Sequence, residues 1–322
     1  MIKPLILGNR TFATNLVQGP LAGVSCAPFR RLIWKYSQPA FTYTEMISCQ
    51  TICNPTPSLH RYIFKDPQEG PVCFQLSGSD PTLLAEAVKR ATDYGADLID
   101  LNCGCPVQKI RSRGAGSRLL ASPQHLFTLM KIMKSSTQVP ISIKIRVDGN
   151  SRDNFNKDIA SAIQDAGVDF ITIHGRHWSE NYHVSCHYDQ IQFFVDSLSI
   201  PIIGNGDIVD FPSLQMMLNT GCQGAMISRA GVGQPWLIQQ LVAESQGTDF
   251  SPPATSIIGQ ILLEHVQRLI DLLNNERIAI FQARSFAKYY ARTLLNQDKF
   301  AQAMNHCLDF STLEKLINTF FF

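Results

Sequence analysis

One helix and the strand after it are encoded by the stretch Asp80-Pro-Thr-Leu-Leu-Ala-Glu-Ala-Val-Lys-Arg-Ala-Thr-Asp-Tyr-Gly-Ala-Asp-Leu-Ile-Asp-Leu101. Asp80 is of the residue type that caps a helix at its first turn, and Gly95 is of the type that ends one. The apolar run Leu98–Leu101 has the length and composition of a buried strand. The stretch therefore predicts a helix over Asp80–Tyr94 that leads into a parallel strand.

The same alternation of short apolar runs and helical patterns recurs along most of the chain. We predict eight strands, at Asn15–Gln18, Phe41–Met46, Val72–Leu76, Leu98–Leu101, Ile141–Arg146, Phe170–His174, Pro201–Gly204 and Ala225–Ser228. Helices are predicted between them, for example at Asp80–Tyr94, Ser122–Met133, Asn156–Ala166 and Phe211–Asn219. Because a (β/α)8 barrel has eight such units in roughly 250 residues, the pattern predicts an α/β fold of the TIM-barrel type.

The two ends of the chain differ from this repeat. Leu5–Phe12 predicts a small hairpin around Gly8-Asn9, placed before the first barrel strand at its lower end. Gln246–Ala254 contains paired prolines and is typical of a linker. Beyond it, apolar residues at helical spacing predict an all-helical region with helices at Ile257–Asn274, Ile278–Leu295 and Ser311–Phe320. We therefore predict two domains, a barrel over residues 1–245 and a helical domain over residues 246–322.

Composition limits the classes of function. The 322 residues are 45% hydrophobic and 17% charged, as in ordinary globular proteins, and no apolar run approaches the roughly 18 residues of a membrane span. Nine cysteines without a secretory signal indicate free thiols in a reducing compartment, so we expect a cytoplasmic protein with no membrane partner. A net charge of +2 means that any nucleic acid must be bound by local basic patches.

Polar residues and glycines follow the predicted strands, at the barrel face where active sites lie. The segments are Pro20-Leu-Ala-Gly23, Glu45-Met46, Gln75-Leu-Ser-Gly78, Asn102-Cys-Gly-Cys-Pro106, Lys144-Ile-Arg146, His174-Gly-Arg176, Gly204-Asn-Gly-Asp207 and Ser228-Arg229. The amides, Lys144 and His174 suit the ring of a flavin mononucleotide, and the last two segments suit its phosphate. Another phosphorylated ligand remains an alternative, because many barrels share this phosphate site.

The ordered set of motifs resembles the tRNA-dihydrouridine synthase family. The resemblance rests on Pro20-Leu-Ala-Gly-Val24, Gln75, Asp100-Leu-Asn-Cys-Gly-Cys-Pro106, Gly114-Ala-Gly-Ser117, Lys144-Ile-Arg146, His174-Gly-Arg176 and Gly204-Asn-Gly-Asp207. It runs from about Leu5 to Trp236, with a weaker match from Ala283 to Tyr290, and is most similar to bacterial C-type members, which act at position sixteen of the D-loop. Leu21 stands where the family usually has Met, and Ser228 where it usually has Gly.

The resemblance implies a role for each matched residue. Cys105 is the implied proton donor. The implied FMN contacts are Pro20, Leu21, Ala22, Gln75, Lys144, Asn205, Gly206, Asp207, Ser228 and Arg229. His174 could be a core histidine, but its place at a strand end before Gly-Arg predicts a further contact to the flavin. In the implied reaction NADPH reduces FMN and leaves, and a uridine flipped out of the tRNA D-loop then takes its place. Hydride goes to uracil C6, Cys105 protonates C5, and Asn102 holds the uracil edge.

Further substrate contacts are predicted outside these motifs. Arg176 and Tyr182 follow the sixth strand and could reach the substrate. Two basic groups are candidates for tRNA phosphate contacts, and they comprise Lys109, Arg111, Arg113, Arg284, Lys288 and Arg292. The alternative for both groups is a solvated surface. We expect a monomer that binds tRNA and NAD(P)H.

Other interpretations remain open from the sequence. Cys105 could be a small buried hydrophobic residue, and Cys103 is predicted to serve packing alone. Because the cysteine and histidine spacings are poor for zinc, no metal site is predicted. A small-molecule flavin reductase of the dihydroorotate type would share the barrel but would not need a basic helical domain. A barrel that binds RNA without catalysis is the other alternative class.

Overall fold

The computed structural model describes residues 1–322, which form eleven strands and fourteen α-helices. The strands are β1 Leu5–Leu7, β2 Arg10–Phe12, β3 Leu16–Gln18, β4 Thr42–Tyr43, β5 Ile47–Ser48, β6 Val72–Ser77, β7 Leu98–Asn102, β8 Ile141–Arg146, β9 Phe170–His174, β10 Ile202–Asn205 and β11 Gly224–Ile227. The helices are α1 Ala27–Tyr36, α2 Cys49–Cys53, α3 His60–Ile63, α4 Pro81–Asp93, α5 Gln108–Arg111, α6 Pro123–Ser136, α7 Asn156–Ala166, α8 Tyr188–Ser197, α9 Phe211–Leu218, α10 Leu237–Ser245, α11 Thr255–Leu273, α12 Glu276–Tyr290, α13 Gln297–Asn305 and α14 Phe310–Phe321.

Nine strand segments form one closed parallel sheet, in the order β4-β3-β11-β10-β9-β8-β7-β6-β5. Both β4 and β5 pair with β6, so they are two segments of one barrel strand and the barrel has eight strands. The predicted (β/α)8 barrel is confirmed. The strand predicted at Phe41–Met46 is shorter in the structure, where β4 covers Thr42–Tyr43. The chain leaves the sheet at Glu45, because the carboxylate of this residue accepts hydrogen bonds from the Gly23 N–H and from Arg61.

Local sequence explains how the helices are placed on the barrel. The side chain of Asp80 accepts a hydrogen bond of 2.7 Å from the Leu83 N–H and caps α4, as predicted. Helix α7 ends at Gly167 with φ 72°, a conformation that glycine adopts without strain. The apolar faces of these helices pack on the strands in a core cluster of 49 buried residues. This packing holds the strand ends, and the side chains that follow them, in fixed positions.

The amino-terminal hairpin β1–β2 closes one end of the barrel. Its side chains Leu5, Leu7 and Phe12 lie in one buried cluster with Phe41 and Phe170, which stand at the amino-terminal ends of barrel strands. The predicted hairpin and its position at the lower end are therefore confirmed. The opposite end, at the carboxyl ends of the strands, stays open.

The carboxy-terminal region is helical and packs against the barrel through α1. A second core cluster of 24 buried residues joins Phe29 and Ile33 of α1, and Trp236, to α11, α12, α13 and α14. The sequence pattern did not predict α13, and it extended α12 to Leu295, whereas the structure ends that helix at Tyr290. None of the fourteen helices has both the length and the hydropathy needed to cross a membrane.

Candidate active site

A cavity of about 550 Å³ opens at the carboxyl ends of the barrel strands and is lined by 26 residues. Its volume is in the range of small-molecule sites. It brings together sixteen of the predicted residues, which are Pro20, Leu21, Ala22, Gln75, Asn102, Cys105, Lys144, His174, Arg176, Tyr182, Asn205, Gly206, Asp207, Ser228, Arg229 and Arg292. The other predicted residues, Lys109, Arg111, Arg113, Arg284 and Lys288, lie outside it.

A chain of hydrogen bonds fixes the amide side chains in the cavity. The buried carboxylate of Asp100 accepts from Ser142 Oγ at 2.6 Å and from Gln75 Nε2 at 2.8 Å. Gln75 Oε1 in turn accepts from Asn102 Nδ2 at 2.9 Å. Because Asp100 can only accept while it is ionised, it determines which way each amide points. Asn102 Oδ1 is thereby left to accept from the Cys105 N–H at 2.9 Å.

The backbone of Cys105 is held from both sides, and its side chain is half-buried in the cavity. The Cys105 carbonyl oxygen accepts from the N–H and the Oγ of Ser117, each at 3.0 Å. Gly116 has φ 62°, and a Cβ atom there would lie 2.7 Å from that carbonyl oxygen, so only glycine fits. Cys103, by contrast, is fully buried in the core, as predicted.

The cavity lowers the pKa of both Lys144 and His174. Burial, with the nearby Arg146, lowers the pKa of Lys144 to about 7, and its Nζ donates to Asn205 Oδ1 at 2.9 Å. Burial and the charge of Lys144 hold the pKa of His174 well below its usual value, so the imidazole is neutral at pH 7. The ammonium of Lys144 therefore depends on a negative partner for full charge at neutral pH.

Most of the positive charge around the cavity is not compensated. Arg176 forms an ion pair of 2.5 Å with Asp207, the only acidic side chain that lines the cavity. Lys144, Arg146, Arg229 and Arg292 line the same cavity, and none of them has a carboxylate within ion-pair distance. An anionic ligand is favoured here, since cations in a partly buried site are costly without one.

The residues present fit a flavin with a phosphate. At one end of the cavity, the backbone N–H groups of Gly206, Arg229 and Ala230 donate to no protein acceptor. Unpaired backbone N–H groups with a nearby arginine form a common phosphate site after the last barrel strands. At the other end stand the fixed amides of Gln75 and Asn102, which suit the polar edge of a flavin ring.

Comparison with known proteins identifies the family. The sequence model described as dihydrouridine synthase (Dus) matches residues 16–321. The chain belongs to the dihydrouridine synthase family. It is 32% identical over 292 residues to the "Probable tRNA-dihydrouridine synthase 1" of Synechocystis sp., covering 90% of this chain and 81% of that protein. It is 34% identical over 266 residues to "tRNA-dihydrouridine synthase B" of Vibrio cholerae, covering 82% of each chain.

A solved structure supports the fold. An old yellow enzyme homologue from Zymomonas mobilis superposes with a TM-score of 0.57 at 10% identity, covering 77% of this chain and 93% of that chain. The match of the family model and of these relatives confirms the family predicted from the sequence motifs, and with it a flavin-dependent oxidoreductase. The C-type subclass is not supported by these relatives, because the Vibrio cholerae protein, like one from Pseudomonas aeruginosa that is 31% identical over 308 residues, carries the letter B.

Several residues that line or support this dihydrouridine synthase cavity were not predicted. Arg146 and Asp100 each stand two positions from a predicted residue on the same strand, Lys144 and Asn102, so the alternation of strand side chains could have identified them. Tyr289 and Gln234 also line the cavity. From the sequence, Tyr289 could either stack on an exposed base or fill the helical core, and Gln234 carries no local signal. Their place in the cavity could not be predicted, because α12 and the loop after β11 meet only in the folded chain.

The predicted tRNA contacts outside the cavity are not equivalent. The guanidinium of Arg111 stacks 3.1 Å from the Trp178 ring centre and donates to Ser117 Oγ, the group that also holds Cys105. Lys109 and Arg113 are exposed. In the tail, Lys288 is exposed, whereas the guanidinium of Arg284 donates to the Cys307 carbonyl oxygen. The three predicted tail cations therefore differ from one another, because Arg284 and Arg292 have backbone partners and Lys288 is exposed.

We expect Asp100→Asn to stabilise the protein above pH 7 by about 3 kcal/mol, as an order of magnitude, because one pKa unit corresponds to about 1.4 kcal/mol. Burial raises the pKa of Asp100 to about 6. Between about pH 4 and about pH 6 the folded state binds more protons than the unfolded state, so wild-type stability falls as pH rises through this window. The advantage of the variant, measured by urea unfolding, should therefore disappear near pH 4.

Ser142→Ala is the matched control for that measurement. It removes one donor to the Asp100 carboxylate but keeps the charge, so it should increase the pH dependence rather than abolish it. An Asp100→Asn variant with the same pH dependence of unfolding as the wild type would show that Asp100 is not the buried group that titrates.

Proposed function

We propose that this chain reduces a uridine of tRNA to dihydrouridine, with FMN as its bound flavin and NADPH as the reductant. The observation that carries the proposal is the single cavity that combines Cys105, the fixed amides of Gln75 and Asn102, and an excess of cations. The membership of the dihydrouridine synthase family supports it. A phosphate-bearing flavin is favoured over other flavins by the unpaired N–H groups of Gly206, Arg229 and Ala230.

Each group of residues has a separate task in this proposal. When bound, the flavin supplies the hydride that reduces the uracil ring. Lys144 would face the flavin ring and compensate negative charge on it, and the Gln75 amide would bind its polar edge. The N–H groups at Gly206 and Ala230, with the side chain of Arg229, would hold the phosphate.

Cys105 would supply the proton that completes the reduction. Addition of hydride at C6 of the uracil C5=C6 bond leaves negative charge at C5, which an acid within reach must neutralise. The Cys105 side chain is half-buried at the cavity, and its backbone is fixed by Asn102 and Ser117. Its thiol would donate the proton to C5, while Asn102 binds the edge of the base and Arg176 and Tyr182 border the entrance.

The substrate must present an unstacked base, because a stacked uracil cannot reach the bottom of a cavity. We propose a uridine of the D-loop, which is exposed, and a tRNA path from the barrel domain, residues 1–245, to the helical domain, residues 246–322. Exposed cations lie on both parts, at Lys109, Arg113 and Lys288. A monomer suffices for the proposed site, since one chain builds the whole cavity. We expect the enzyme in the cytoplasm because its proposed substrate is tRNA.

Mapping dihydrouridine in tRNA from cells with and without this gene tests the proposal. One position should lose its dihydrouridine and regain it when the gene is restored, and that position would identify the substrate uridine. An unchanged map, together with purified protein that binds no flavin after reconstitution, would refute the proposed function.

Removal of exposed charges should weaken tRNA binding and reduce its salt dependence. The logarithm of tRNA affinity should fall linearly with the logarithm of salt concentration. We expect Lys288→Ala to make this slope less steep by about one, because each neutralised phosphate releases about one counterion. Lys109→Ala and Arg113→Ala should act in the same way from the barrel. Filter binding across a salt series measures the slope, and flavin retention should not change.

Arg284 provides a comparison within the same helix. Because its guanidinium already donates to the Cys307 carbonyl oxygen, Arg284→Ala should change the slope less than Lys288→Ala. If removal of charge at Arg284, Lys288 and Arg292 together left tRNA affinity and its salt dependence unaltered, the helical domain would have no part in binding tRNA.

A further inference from the structure

The end of α12 touches the loop that follows the last barrel strand. Two residues after that helix, the guanidinium of Arg292 donates from one nitrogen to the Ala230 carbonyl oxygen at 2.9 Å and from the other to the Arg229 carbonyl oxygen at 3.0 Å. Arg292 lines the cavity and is half-buried. A residue of the carboxy-terminal helical region is thus part of the wall of the barrel's own site.

The contact between these two segments is close. Gly233 has φ 76°, and a Cβ atom there would lie 2.4 Å from the carbonyl carbon and oxygen of Tyr289. The backbones of the loop and of the helix end therefore approach each other directly, which only glycine permits. Gln234 and Tyr289, one from each segment, both line the cavity. The position of the loop consequently depends on the helical region.

The peptide group between Arg229 and Ala230 connects Arg292 to the phosphate site. In a trans peptide the C=O and the N–H point in opposite directions. The Arg229 carbonyl oxygen accepts from Arg292 and from the Val232 N–H, whereas the Ala230 N–H of the same peptide donates to no protein acceptor. By holding the carbonyl, Arg292 fixes the plane of the peptide and so the direction of its free N–H. A cation bound to the carbonyl also polarises that N–H as a donor.

Arg292 has no acidic partner to offset its charge. No carboxylate lies within ion-pair distance of it, although it is half-buried. A guanidinium that only contacts carbonyl oxygens at a cavity wall retains its attraction for an anion within the cavity. This differs from Arg284, whose guanidinium also donates to a carbonyl oxygen, that of Cys307, but does not line the cavity.

We propose that Arg292 is a positioning residue of the flavin phosphate pocket, and that the carboxy-terminal helical region thereby completes the cofactor site rather than serving tRNA alone. This rests on the proposed function, because it takes the phosphate of FMN as the anion at Ala230. Arg292 then acts on the cofactor before any tRNA arrives, through the direction of a backbone N–H and through its own charge.

The test compares FMN with riboflavin, which has the same ring and lacks the phosphate. The full-length protein is stripped of flavin and titrated with each, following the quenching of flavin fluorescence. Arg292→Ala should weaken FMN binding by about tenfold to a hundredfold, since bonds to charged groups contribute on that scale. Riboflavin affinity should change by less than about threefold, so the ratio of the two affinities should collapse. Arg292→Lys should give an intermediate ratio of FMN affinity to riboflavin affinity. Its ammonium keeps the positive charge but cannot reproduce both hydrogen bonds of the guanidinium to the two carbonyl oxygens.

Arg284→Ala is the matched control, and it should leave both flavin affinities unchanged. An unchanged FMN-to-riboflavin ratio in Arg292→Ala, with tRNA affinity reduced instead, would overturn the inference and return Arg292 to the tRNA surface. An equal loss of both affinities in Arg292→Ala and in Arg292→Lys would overturn it as well, since this would indicate general damage. If the wild type bound neither flavin, the proposed function would fail together with the inference.

Discussion

Replacing Cys105 with alanine should leave flavin reduction by NADPH near wild-type speed and slow the tRNA-dependent reoxidation by about 10²–10⁴-fold, the usual contribution of a positioned general acid. The first half-reaction needs no proton donor at the uracil face, whereas the second leaves negative charge on C5. Stopped-flow absorbance separates the two steps. Addition of NADPH should bleach the flavin of the variant normally, and addition of tRNA should then fail to restore the oxidised spectrum at the normal rate.

Cys103→Ala is the control within the same motif. Cys103 is fully buried in the core, and burial raises the pKa of its thiol well above the ordinary value. Its removal should cost stability without changing either half-reaction. If the Cys103 variant lost tRNA-dependent reoxidation while the Cys105 variant retained it, the two cysteines would have been assigned the wrong way round.

The barrel could be predicted from the sequence because its strands are encoded locally. Ile141–Arg146 and Phe170–His174 carry isoleucine at every second position, and the structure has strands with those same limits. The predicted elements were wrong at the end of the strand Phe41–Met46 and at helix α13. Glu45 leaves the sheet to meet Arg61, a residue sixteen positions away, and α13 buries only Phe300 and Met304 along its length, too few for a clear helical pattern.

The cavity residues could be predicted for a different reason. In a parallel barrel all carboxyl strand ends meet at one face, so the residues after each strand converge even when they are far apart in sequence. That rule placed Lys144 and Asn205 in one cavity, 61 positions apart. It says nothing of residues outside the strands, so it did not place Tyr289 or Arg292 in the cavity, and Arg292 was predicted only as a tRNA contact. Both reach the cavity through the packing of the end of α12 on the loop after β11.

Replacing Lys144 with methionine should have opposite effects on the flavin-free protein and on flavin binding. Because burial lowers the pKa of Lys144 to about 7, the unfolded state binds more protons than the folded state between pH 7 and the unfolded value near 10.5. Wild-type stability therefore falls as pH decreases through this window, and the variant lacks that loss. At pH 7 we expect a more stable flavin-free variant whose FMN affinity is reduced by about tenfold to a hundredfold, since it has lost a charged partner for the ring.

The pH dependence of FMN binding provides the sharper test of the same lysine. An anionic ligand favours the charged ammonium and raises its pKa, so binding above pH 7 takes up a proton, and wild-type affinity should fall by up to about tenfold per pH unit there. Lys144→Met should remove that slope, whereas Lys131→Met, on the exposed side of α6, should keep it. A slope that persists in Lys144→Met would assign the proton to another group, and a variant with full FMN affinity would show that Lys144 does not face the flavin. A variant that is more stable without flavin and binds FMN more weakly would show two effects of Lys144. The lysine lowers the free energy of unfolding of the flavin-free protein, and it raises the affinity for FMN.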